Sequence, residues 1–234
     1  YRGEGLRIEN LEQSTLSPNY SSTSFTEGVF YEKDLVNFIS SGKEWVGERL
    51  DAGNSLFEIP EYTFPNLIPD KQSWIRYRVT AKATKATSFT VYANGIAAAT
   101  PLCPKVGGQY QYATERIETK SFFPQTDNVK ISFQYNGEGT EIGWLDWVEL
   151  NIPREMKFTG GQMAFADPYS VMPGYVTEFL LQGTTSELSI WEVTNPLSVK
   201  KVIAEKQGDI SRFVLETDSI RQFVAWDNTS FLQV

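Results

Sequence analysis

The sequence predicts an all-β protein: a jelly-roll-like β-sandwich over residues 1–153, then a smaller immunoglobulin-like β-sandwich over 154–234. Three observations predict it. Several stretches of five to ten residues alternate apolar and polar with period two, the signature of half-buried strands. Turn chemistry separates them, and connections such as Thr100–Gly108 and Glu138–Ile142 are longer than a simple meander needs. The aromatic stretch Gly143-Trp144-Leu145-Asp146-Trp147-Val148-Glu149-Leu150-Asn151 reads as the last strand of the first domain. Pro153 has no N–H for a ladder, so the strand is expected to stop there, with Ile152–Lys157 as a hinge.

Residues 1 to about 28 are rich in Ser, Thr and Asn and read as an irregular arm of the first domain. Asn19-Tyr20-Ser21 fits the glycosylation pattern, which has meaning only in a eukaryotic secretory context. Gly28–Asp34 reads as a strand entering a polar turn, Asp34–Ile39 as a short helical turn, and Ser40–Lys43 as a turn. Leu56–Pro60 and Tyr62–Pro65 read as edge strand and turns, with Pro60, Pro65 and Pro69 closely spaced.

Trp74–Ala83 is the clearest strand. It sets Ile75, Tyr77, Val79 and Ala81 on one face and Trp74, Arg76, Arg78 and Thr80 on the other. Ser88–Gly95 repeats the pattern and ends in Asn-Gly, a hairpin signal. Tyr110–Ile117 is a fainter strand, and Asp127–Gly137 places Val129, Ile131, Phe133 and Tyr135 on one face. In the second domain the strands are Met163–Phe165, Val176–Leu181, Leu188–Val193, Val199–Ile203, Ser211–Leu215 and Gln222–Trp226. Turns at Gly183–Thr185, Asn195-Pro196 and Gly208-Asp209 divide them.

Composition narrows the chemistry. The net charge of −8 argues against nucleic-acid binding, which depends on basic patches. There is no histidine, so neither a Ser-His-Asp nor a Cys-His pair can be built from this chain. One cysteine cannot form an internal disulfide or supply a zinc site. That residue, Cys103, sits between Pro101 and Pro104 and reads as an inert thiol on a loop. No run of about 18 apolar residues is present. The start Tyr1-Arg2-Gly3-Glu4 has no signal-peptide form, and the chain reads as a mature or excised piece.

The site candidates are few. Trp45 and Trp74 are the aromatics expected to be exposed, and with Glu48 they form the candidate binding set, as for a glycan stacked on a ring. Glu32, Asp34, Glu44 and Glu48 cluster in sequence; solvated or arginine-paired carboxylates are far commoner than a catalytic pair. Asp70, Asp127, Asn128 and Asp146 could offer oxygens to calcium, but Asp in turns has its own backbone reason, and no metal or other cofactor is expected. Gly107-Gly108 and Gly160-Gly161 are turns that precede no helix, so neither is a phosphate loop.

Four passages together resemble one family. They are Phe30–Asp34 followed by Ser41–Glu48, then Gly143–Asn151, Ile190–Pro196 and Phe223–Asp227. In that order they resemble the sortases of the type IX secretion system, gingipain-related cysteine peptidases. Trp147 stands where that family usually has Tyr, and Glu192 where it has Asp. The resemblance implies non-catalytic modules lying before a peptidase domain that carries the catalytic His and Cys, with no catalytic residue mapping onto this chain. It implies an exported parent at the cell surface or outer membrane, one that removes C-terminal secretion signals and joins cargo to an anionic lipopolysaccharide. The partners it implies are the downstream peptidase domain, secreted cargo and other secretion components. The other reading of the same residues is a carbohydrate-binding or adhesion module with no linked peptidase.

Overall fold

The computed structural model describes residues 8–40, 42–108, 110–184, 188–227 and 229. The start Tyr1–Glu4, Ser41 of the expected Ser40–Lys43 turn and Thr185 of the Gly183–Thr185 turn lie outside the described residues. The described chain is all-β; its two short turns of helical character are Phe38–Ser40 and Pro168–Ser170. It divides into two compact units, one of residues Gly28–Ile152, the other joining the chain up to Glu27 with the chain from Pro153 on.

The unit 28–152 is a sandwich. One sheet runs in the order Thr114–Phe122, Ser73–Lys82, Ile142–Glu155, Ser24–Glu32, with Arg49–Leu50 added on Ile142–Glu155. The other runs Ile96–Ala99, Thr87–Ala93, Ile131–Tyr135, Leu56–Glu58. The alternation of the sequence is realised directly. Ile75, Tyr77, Val79 and Ala81 are fully buried and meet Phe89, Val91, Ile131, Phe133 and Tyr135 from the facing sheet in one cluster. Tyr77 and Phe133 pack edge-to-face, with ring centroids 5.5 Å apart, the arrangement the aromatic quadrupole favours. Asn94 and Gly95 make the two-residue hairpin between Ala93 and Ile96, both at positive φ, as a primed turn requires.

In the second unit one sheet runs Glu9–Asn10, Lys200–Val202, Ser189–Glu192, Phe223–Trp226, Gln162–Phe165. The other runs Tyr20–Ser22, Val176–Leu181, Ile210–Glu216, Glu205–Gln207. Phe25, Phe165, Phe179, Phe213 and Phe223 fill its core. Phe179, Phe213 and Phe223 contact one another with centroids 5.0–5.1 Å apart. No disulfide is needed where three interlocked rings fix the two sheets.

The structure differs from the expectations in several places. The N-terminal residues from Glu9 are not an irregular arm of the first sandwich. Glu9–Asn10 lies parallel to Lys200–Lys201, and Tyr20–Ser22 parallel to Thr177–Phe179, so both are strands of the second unit. The amide of Asn19, read as a glycosylation acceptor, is tied to Gly174 O at 3.0 Å and to Val176 N at 2.9 Å. Asp34–Ile39 is not one helical turn: only its last two residues, Phe38 and Ile39, enter the short turn Phe38–Ser40. Val36–Asn37 pairs antiparallel with Trp45–Val46, consistent with poor helix formers next to a β-branched partner.

Cys103 is not on a loop. Leu102–Cys103 pairs with Thr87–Ser88, and the thiol is fully buried. Two prolines frame an edge strand here because neither sits on the bonded pair. The final strand does not stop at Pro153 but runs to Glu155. Its ladder with Ser73–Lys82 ends at Asn151↔Trp74, so the missing N–H of Pro153 costs that ladder nothing.

Candidate functional site: an arginine-centred cleft on the first sandwich

The strand Ile142–Glu155 carries one residue too many for its partner. Leu145 pairs with Val79 and Trp147 with Arg78, leaving Asp146 as the extra residue of a β-bulge. The bulge shifts the alternation, so that Leu145 and Val148 both reach the core. It also turns Asp146 onto the side of the sheet that carries Arg78.

Three stretches of the family-like motifs converge on this bulge. Gly47 N donates to Leu145 O at 2.8 Å, and Leu145 N to Glu48 O at 3.0 Å. A Cβ on Gly47 would lie 2.7 Å from Leu145 O and 3.0 Å from Lys33 O, so only glycine fits. Tyr31 donates its hydroxyl to Glu48, and Lys33 Nζ stands 3.5 Å from the same carboxylate. Burial first, and then the Glu48 bond, push the Tyr31 hydroxyl well above its ordinary pKa. Glu48, expected to bind a ligand, thus braces the strand Ser24–Glu32.

Arg78 is the hub. Its Nε donates to Glu115 at 2.7 Å, Nη1 to Asp146 at 2.8 Å and Nη2 to Glu44 at 3.1 Å. Burial works against its charge, but the bonds to Glu115 and Glu44 and the Asp146 charge outweigh it and raise its pKa further. The Asp146 carboxyl is nonetheless held above its usual range. Burial raises it, Arg78 lowers it, and Glu32 and Asp34 raise it again. Of the sequence-clustered carboxylates, Glu44 pairs with Arg78, Glu48 is held by Tyr31 and Lys33, and Glu32 and Asp34 act on Asp146 through their charge.

Above this network lies a cleft of about 650 Å³. Phe38, Glu44, Arg78, Thr80, Tyr110 and Tyr112 are among its lining residues. Its walls come from two local devices. On one side, Asn37 folds the 38–44 turn by donating to Glu44 O and accepting from Gly42 N, at 3.1 and 2.9 Å. That turn holds Ile39 at φ 51° and Ser40 at φ 54°, and leaves Ile39 74% exposed. A β-branched residue in the left-handed region is strained, and such strain collects at functional positions. On the other side, Thr114 Oγ1 donates to Pro104 O at 2.6 Å and fastens the base of the connection that carries Tyr110 and Tyr112. Lys82 Nζ sits 4.1 Å over the Tyr112 ring, and Phe38 packs on it at 5.0 Å. Tyr110, by contrast, is 99% exposed.

Two buried polar atoms, one on a lining residue of the cleft and one on its ladder partner, have no hydrogen-bond partner among the described residues. They are Thr80 Oγ1 and Trp144 Nε1, on residues directly opposite each other in the ladder. Unpaired buried groups are costly and call for a reason.

The expected exposed tryptophans are exposed, Trp45 at 43% and Trp74 at 39%, but neither lines the cleft. Asp146 and Asn128, two of the four residues weighed for calcium, are engaged by Arg78 and Thr63. No group of three or more His, Cys, Asp or Glu able to hold a metal occurs among the described residues. The expected strand Tyr110–Ile117 includes Tyr110 and Tyr112, but the strand begins at Thr114 and both tyrosines lie on the connection before it. The Gly107-Gly108 pair just before them was the available sign that they belong to a connection.

The chain superimposes on the crystal structure of dimeric latent PorU from Porphyromonas gingivalis with a TM-score of 0.82 over 95% of its length, at 18% identity. The fold is PorU-like. The chain spans 22% of the PorU chain it matches. Two weaker likenesses are to the insecticidal δ-endotoxin Cry8Ea1 of Bacillus thuringiensis (TM-score 0.31, 12% identity, 42% of this chain and 18% of that one) and to the carbohydrate-binding module CBM36 (TM-score 0.36, 14% identity, 53% and 98%). Both are too distant to inform function. No protein-family model matches the chain, and neither does any curated protein sequence. No helix among the described residues is long and apolar enough to cross a membrane.

Proposed function

We propose that this chain is the non-catalytic region of a PorU-like, gingipain-related cysteine peptidase, exported to the cell surface or outer membrane. The observation that carries this reading is the fold, shared with PorU over 95% of the chain. Four motifs in family order add to it. The chemistry agrees: there is no histidine, and the one thiol is fully buried with its pKa pushed up to about 11 by desolvation. A nucleophile needs the thiolate and access to substrate.

In this reading the two sandwiches support the peptidase domain that follows, or dock secreted cargo and other secretion components. The parent reading frame beyond Val234 tests it. A further α/β domain containing a His and a Cys is the expected finding. A stop codon shortly after Val234 would overturn the reading and leave an adhesion or glycan-binding protein. The purified chain should not cleave casein, and alkylation should change nothing.

A further inference from the structure

We propose that the Arg78 cleft is a binding site for a neutral saccharide. Its floor and walls have the parts a sugar needs. A pyranose offers a face of C–H groups to an aromatic ring and an edge of hydroxyls to planar polar groups. Tyr110 presents an almost wholly exposed ring beside the cleft, where an aromatic with no packing role would otherwise cost apolar exposure. Ile39, held out on strained backbone, adds an apolar lip. Glu44 and Glu115, each more than half exposed, are fixed in direction by Arg78 and keep free lone pairs that accept from hydroxyls.

Charge selects against ionic ligands. All three guanidinium nitrogens of Arg78 are already used by Glu115, Asp146 and Glu44, so the arginine has no fork to offer an anion. Lys105 and Arg78 balance Glu44 and Glu115 on the lining, which leaves little net field for a polycation. A cleft of about 650 Å³ is of ordinary ligand-site size. The independent sign of a ligand is Thr80, which lines the cleft, is 4% exposed, and has a hydroxyl without a partner among the described residues. That hydroxyl is closed to solvent in the free chain, so a sugar hydroxyl satisfies it only with a small side-chain movement of the lining, of the kind common on ligand binding.

This site is separate from the candidate set Trp45, Glu48 and Trp74, and it does not depend on a peptidase following in the parent gene. The test is titration calorimetry of the 234-residue chain with cellohexaose, xylohexaose, maltohexaose and mannohexaose, beside hexagalacturonate and hexalysine as charged controls. At least one neutral hexasaccharide should bind and raise the melting temperature. Tyr110→Ala should weaken that binding roughly tenfold while leaving the fold intact. Thr80→Val should weaken it roughly three- to tenfold without lowering the melting temperature of the free protein, because it removes an unpaired hydroxyl. Failure of every neutral probe, tighter binding of either charged control, or indifference to both substitutions would overturn the site. The reading-frame experiment is unaffected by any of these outcomes.

Discussion

Asp146 Oδ2 lies 2.8 Å from Arg78 Nη1 because a β-bulge places one unpaired residue opposite the arginine. The aspartate is buried, whereas the arginine side chain keeps about a quarter of its surface. Removing the arginine would leave a buried carboxylate without its counter-charge. Arg78→Gln should therefore destabilise the unit by roughly 2–3 kcal/mol, below the range for fully buried pairs because water still reaches the site. Urea unfolding measures it. The double variant Arg78→Gln/Asp146→Asn should recover part of the loss, and a fully additive pair would show that the two do not interact.

The same aspartate gives a pH signature of unusual sign. Its carboxyl pKa is raised in the folded state, chiefly by burial. The folded protein therefore binds more protons than the unfolded one in a window that starts near the ordinary value of 3.8 and extends upward. Across that window the Asp146 contribution to stability falls as pH rises. The difference in unfolding free energy between wild type and Asp146→Asn should shrink with rising pH there. A difference that grows with pH would mean that Arg78 outweighs burial.

Gly47 should not tolerate a side chain. Its Cβ would meet the backbone oxygens of Lys33 and of Leu145, and Leu145 O is held in the bulge by Gly47 N. Gly47→Ala should cost about 1–3 kcal/mol, as overpacking does. Gly143→Ala, whose Cβ would lie 2.7 Å from Phe89 and Tyr135 ring atoms, should cost a similar amount by displacing core rings. Thermal unfolding of both variants checks this.

Cys103 should be silent toward thiol reagents in the native protein. Its sulfur is fully buried, and its pKa is pushed up to about 11, so at neutral pH it is neither exposed nor ionised. Reaction with a chromogenic disulfide should be absent in buffer and complete in guanidinium chloride. Rapid native labelling would refute the burial.

The second unit should need the residues before Gly28. Phe25 belongs to its core, and Glu9–Asn10 and Tyr20–Ser22 pair with its strands. A fragment of residues 153–234 should lack cooperative unfolding, and Phe25→Ala in the full chain should cost about 3–5 kcal/mol. Circular dichroism and urea unfolding decide both points.

The site was legible in fragments. Period-two alternation puts Arg78 and Thr80 on one face of their strand, and Glu44 falls in a cluster whose ordinary reading is solvated or arginine-paired carboxylates. What could not be read was that Asp146 joins them. A bulge flips the facing of every residue beyond it, and the Leu145-Asp146-Trp147 pattern does not announce the slip. Tyr110, now on a connection, carried only the weak signal of two neighbouring glycines.

The sequence alone determined the local order. Side chains alternate across a strand, so Ile75, Tyr77, Val79 and Ala81 had to share a face, and Asn94-Gly95 had to turn the chain. The lack of histidine likewise fixed what chemistry this chain cannot carry out. The tertiary structure decided which distant segments meet. The parallel ladders of Glu9–Asn10 and Tyr20–Ser22 join residues more than 150 positions apart. The polar residues of those strands leave no period-two trace. Their pairing is set by edges that exist only once the second sandwich has formed, and a local pattern cannot encode a partner that is not local.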